Sequence, residues 1–134
     1  HPTLTAQSIL AGQTMPIDVF CELGHVLLSP EGKMRAGGDT ALESVGRSRR
    51  VVMTLPFFSG VARAVAESHL IALMPRPYAV QVAERSGLSI FDSPVQVEPV
   101  TICMAWHKRA TGNPAHVWLR KNIRQTLSAT LERT

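Results

Sequence analysis

Two Cys–His pairs have the residue types of a nucleophile with its base: Cys21 with His25, and Cys103 with His107. A thiol activated by an adjacent imidazole would make the chain an α/β hydrolytic enzyme. The spacing argues against it. Four residues along an extended strand span about 13 Å, beyond hydrogen-bond reach. No G-x-S-x-G elbow, phosphate loop or G-x-G-x-x-G accompanies the pairs. Cys103, His107 and His116 fit no zinc-ligand spacing. No catalytic residue, metal site or cofactor is therefore expected. The basic residues His116, Arg120, Lys121 and Arg124, with the run Arg47-Ser48-Arg49-Arg50, read as solvated faces. They lack the aromatic platform that single-stranded nucleic acid would stack on.

The stretch "TLPFFSG" at 54–60 carries a different chemistry, that of binding. The β-branched run "RRVVMTL" reads as a strand buried on both faces, and "SGVARAVAES" reads as a helix with Ser59 as N-cap. In open parallel α/β sheets ligands sit beyond the carboxyl ends of strands, where helix N–H groups are free. At such a junction Thr54 offers a hydroxyl and Pro56 stiffens the turn. Phe57 and Phe58 can wall an apolar or aromatic ligand. Adjacent residues point in different directions, so one of the two phenylalanines is expected in the core. His25 opens a strand rather than ending one, and on its own reads as structural.

The surrounding elements alternate. "LTAQSILAG" suits a helix stopped by Gly12, and "QTMPID" is turn material. "HVLLS" at 25–29 is a strand. "DTALESVG" is a helix capped by Asp39, with Leu42 and Val45 inward and Gly46 at its end. "LIALM" is a buried strand, "RPYAVQVAERSG" a helix ending at Gly87, and "LSIFD" a strand. This rhythm predicts βαβ units and a mainly parallel sheet. Beyond it, "VQVEPVTICMAWH" is extended. "NPAHVWLRKNIRQTLSATLE" is a helix bearing Ala115, Trp118, Leu119, Ile123, Leu127 and Leu131 on one face.

The 134 residues correspond to about one domain, with 45% apolar residues to fill a core and a net charge of +4. No run of about 18 uncharged apolar residues predicts a membrane span. "HPTLTAQ" lacks the basic region of a signal peptide. Cys21 and Cys103 read as free, buried thiols in a reducing compartment, so a cytoplasmic location is expected. The chain opens on His1 rather than methionine, as if cut from something longer.

In series, "HVLLSPEG", "VGRSRRVVMTLPFFSGVARAVAESHLIALMPR" and "MAWHKRATGNPAHVWLRKNI" closely resemble the C-terminal part of LysR-type transcriptional regulators, over nearly the whole chain. The resemblance implies a periplasmic-binding-protein-like (type 2) effector domain of α/β class. Residues 12–95 would form the second, Rossmann-like lobe. Residues 97–134 would supply the crossover, last strand and C-terminal helix of the first lobe. It implies a bacterial, cytoplasmic, homo-oligomeric sensor with no membrane contact. The sensor would bind a small effector in an interlobe cleft and reach DNA only through a helix-turn-helix domain absent from this chain. Carried over, His25, Thr54, Pro56, Phe57 and Phe58 are the effector contacts. Relatives often have His where this chain has Phe57, which implies an aromatic or more apolar carboxylate effector. The partners of the strand "VTICMAWH" would precede residue 1, which predicts self-association through residues 97–131 ahead of the alternative, a tail folded back over the second lobe.

Overall fold

The computed structural model describes residues 12–99 and 101–131. The chain divides between Glu98 and Pro99 into two compact units.

The first unit is α/β. Its elements are α1 (Ile17–Glu22), β1 (Gly24–Leu28), α2 (Gly37–Glu43), β2 (Arg50–Leu55), α3 (Phe58–Ala66) and α4 (Arg76–Ser86). Strands β1 and β2 pair in parallel, from Gly24 opposite Arg50 to Leu28 opposite Leu55, with a register shift between His25 and Val26. Parallel strands require a crossover, and here α2 provides it. Ile71 makes a parallel bridge to His25 on the other side of β1, and Thr14 a parallel bridge to Asp92.

The core lies where α1 and α2 meet these strands. Met15, Phe20, Leu42 and Val95 form one buried cluster, with Ile71, Phe91 and Val97 packed against it. Val26, Leu27, Val61 and Ala62 are buried where α3 covers β1. Helix α4 ends at Gly87 in the left-handed conformation, φ 64°. Gly46 follows α2 with φ 69°.

Several sequence expectations are corrected. Ile17 and Asp18, the end of the stretch read as a turn, instead open α1 (Ile17–Glu22) behind Pro16, whose φ of −57° suits a helix entry. Asp39 stands in the first turn of α2 rather than before it, and its carboxylate reaches back to the Ala36 N–H at 2.7 Å. Val45 is exposed, leaving Leu42 as the inward residue. Phe57, not Ser59, precedes α3 as its cap residue, extended at φ −133°. "LIALM" and "LSIFD" are reduced to single bridges. The helix proposed over 3–11 lies outside the described residues.

The second unit holds a short 3-10 turn, Lys108–Ala110, and the long helix α5 (Pro114–Leu131). The Asn113 side chain caps α5, its Oδ1 accepting from the N–H groups of Ala115 at 3.0 Å and His116 at 3.3 Å. Arg120 lies over the Trp106 ring at 4.5 Å and donates to the carbonyls of Ala110 and Thr111. Of the expected strand at 100–107, residues 101–107 form no strand, and among the described residues nothing pairs with them. A strand needs a ladder partner. Apolarity alone does not make one.

Candidate functional site

The junction after β2 is built as follows. β2 ends at Leu55, Pro56 turns the chain, and α3 starts at Phe58. Phe57 stands 70% exposed at this turn. Phe58 instead packs on Tyr78 of α4, ring centroids 4.8 Å apart and tilted by 36°. Thr54 is half-buried and Pro56 exposed. No side chain caps α3, so its leading N–H groups are open to a ligand's acceptors. The structure thus brings Thr54, Pro56, Phe57 and Phe58 together. One phenylalanine is packing and the other is surface.

His25 is placed differently. It is 0% exposed. Its Nε2 donates to the Phe20 carbonyl at 2.8 Å, and its ring meets the Phe20 ring edge-on at 4.6 Å. Its Nδ1 lies 3.3 Å from the Arg49 guanidinium. Arg49, whose side chain is 1% exposed, grips Asp39 through two bonds of 2.9 Å. Arg49 therefore does not belong to a solvated basic run. Arg47 pairs with Asp18. The Arg49 bonds hold the Asp39 carboxyl below its ordinary range, helped by the Ala36 N–H. Burial pushes the His25 imidazole below its ordinary value, and the Arg49 charge adds to this. Sequence reasoning missed both this network and the Phe58–Tyr78 stack. The one signal for the network was Arg49 beside an otherwise apolar strand, ten residues after a helix-starting Asp.

His25 commits both nitrogens to Phe20 and Arg49. His107 accepts from the Arg109 N–H, and Cys103 is exposed. A separate cavity of about 280 Å³ opens beneath α4, with Met15, Phe20, Ile71 and Phe91 in its wall. None of the five expected contacts lines it. No helix among the described residues is long and apolar enough to cross a membrane.

An exposed aromatic beyond the carboxyl end of a parallel strand stands where open α/β sheets commonly bind ligands. The chain belongs to the LysR substrate binding domain family, whose model matches residues 4–128. It is 29% identical over 109 residues to the HTH-type transcriptional activator NahR of Pseudomonas putida, covering 81% of this chain and 36% of NahR. It is 30% identical over 129 residues to the HTH-type transcriptional regulator SyrM of Rhizobium etli, covering 95% of this chain and 36% of SyrM. Among solved structures it is similar to the regulatory domain of MexT, a transcriptional activator in Pseudomonas aeruginosa. That similarity has a TM-score of 0.72 and 32% identity, covering 81% of this chain and 55% of the other. The chain thus spans about a third of the length of these curated relatives. The family is one of regulator substrate-binding domains and not of enzymes.

Proposed function

We propose that this chain senses a small aromatic or apolar carboxylate for a bacterial LysR-type regulator, working in the cytoplasm as a homo-oligomer. The effector seats on Thr54, Pro56, Phe57 and Phe58, in the cleft that this lobe forms with its counterpart lobe. DNA is read by a separate helix-turn-helix domain. The observation that carries the reading is Phe57, left 70% exposed on a proline-stiffened turn before an uncapped helix. An aromatic ring there stacks on the effector's apolar body, and the α3 N–H groups meet its carboxylate. His25 joins the contacts only when the Asp39–Arg49–His25 chain opens, because both its nitrogens are otherwise taken.

The effector acts by favouring one lobe arrangement over another, so its leverage equals its difference in affinity for the two. The test is thermal denaturation with a panel of aromatic carboxylates, followed by recovery of the ligand. A binder at a hundred times its Kd should stabilise the fold by about 2.7 kcal/mol and be recovered unchanged. Consumption of the compound would restore the hydrolase reading.

A further inference from the structure

The Asp39–Arg49–His25 chain lies toward the start of the β1–β2 pair, away from the turn at Pro56. In its closed form the chain takes no part in effector binding at that turn, and its acid chemistry stands whether or not an effector binds there. The bonding fixes the imidazole's form. The Phe20 carbonyl can only accept, so His25 Nε2 carries the hydrogen. A guanidinium can only donate, so Nδ1 facing Arg49 must present its lone pair. Only the neutral Nε2–H tautomer satisfies both neighbours.

We infer that neutral His25 is the latch of an acid-sensitive switch: a proton on Nδ1 sets donor against donor, releases Arg49, and through Asp39 loosens the start of α2. No water-exposed route softens the conflict, since His25 is 0% and the Arg49 side chain 1% exposed. The groups facing the ring are few. From α1 it meets the Phe20 ring edge and carbonyl. From the β2 end it feels two cations, Arg49 and Arg50, and from α2 one anion, Asp39. Ile71 offers a backbone bridge to its strand. The Phe20 carbonyl and, less strongly, Asp39 favour the imidazolium, but that carbonyl is equally served by the neutral Nε2–H ring, and the Asp39 carboxylate is already bonded to Arg49 twice and to the Ala36 N–H. When Arg49 leaves, Asp39 loses the partner that holds it over Ala36.

The test is a long-range 1H–15N spectrum of His25 in this chain, titrated from about pH 7.5 to about pH 5. The expected result is a neutral Nε2–H ring near pH 7 that charges below its ordinary value of 6.5, with the amides of Ala36 and Asp39 shifting in step. An Nδ1–H tautomer, a ring already charged at pH 7, or still amides at Ala36 and Asp39 would overturn the latch. Denaturant unfolding of His25→Gln supplies a second readout. Gln keeps a donor for the Phe20 carbonyl and cannot titrate. The fall in unfolding midpoint between about pH 7 and about pH 5 should be at least halved relative to wild type. Equal falls would overturn the proposal. Should the variant not fold, the wild-type spectrum alone decides.

Discussion

At the scale of single residues, the two adjacent phenylalanines separate binding from packing. Phe57 is largely exposed, so Phe57→Ala should leave stability within about 0.5 kcal/mol while abolishing effector response in a full-length regulator. Phe58 is half-buried on Tyr78. Its replacement by Ala should cost about 2 kcal/mol, below the ~3–5 of a fully buried phenylalanine. Urea unfolding beside a reporter dose–response checks both, and an unchanged response in Phe57→Ala would make that side chain mere surface. The ionisable pair gives a pH signature. His25 is held below 6.5, so between that value and its folded value the unfolded chain binds a proton that the native one refuses. Its stability contribution is full above 6.5 and lost as pH falls through that window. Asp39 is also lowered, from 3.8, so its contribution is full above 3.8 and lost as pH falls toward its folded value. Unfolding midpoints across pH should show two acid-side declines, the first missing in His25→Gln. Sequence could nominate Phe57 and Phe58 because an aromatic pair after a strand is a local pattern. It could not bury Arg49, because the partner that permits burial lies on another element.

At the scale of elements, local signals were read where the chemistry is local. Gly87 and Gly46 were legible as helix ends because a residue past the last turn that must take positive φ is commonly glycine. Both have it, at 64° and 69°. Gly87→Ala should destabilise by about 1–2 kcal/mol through the left-handed conformation alone, since a Cβ there meets no neighbour. A stabilised variant would show the backbone to be other than described. Leu42→Ala, at a wholly buried position in the last turn of α2, should cost about 2–5 kcal/mol in the same unfolding assay. Strands were less legible. The run 70–74 is apolar enough, yet only Ile71 pairs, and Ala72, Leu73 and Met74 line the cavity beneath α4 instead. Apolar composition reports burial, whereas a ladder depends on which neighbour is within reach.

At the scale of the molecule, the parallel α/β class was legible from the alternating rhythm before any resemblance was invoked. The second unit was read only in part. Its helix forms as expected, but Trp118 at 66% exposure, with Leu119, Ile123 and Leu127 also exposed, shows an apolar face open to solvent. Such faces are seldom left open. Burying each large side chain would recover roughly 1.5–3 kcal/mol. Sedimentation across a dilution series should show concentration-dependent association, weakened by Trp118→Ser. A monomer at every concentration would refute self-association through this face.

The central claim is that the turn after β2 receives the effector. The measurement that bears on it most directly is a 15N backbone titration of this chain with the aromatic carboxylates that raise its thermal stability. Binding at the turn predicts saturable shifts centred on residues 54–62, lost in Phe57→Ala although that variant remains folded, with the compound recovered intact. Saturable shifts that avoid residues 54–62, or that survive unchanged in Phe57→Ala, would contradict it.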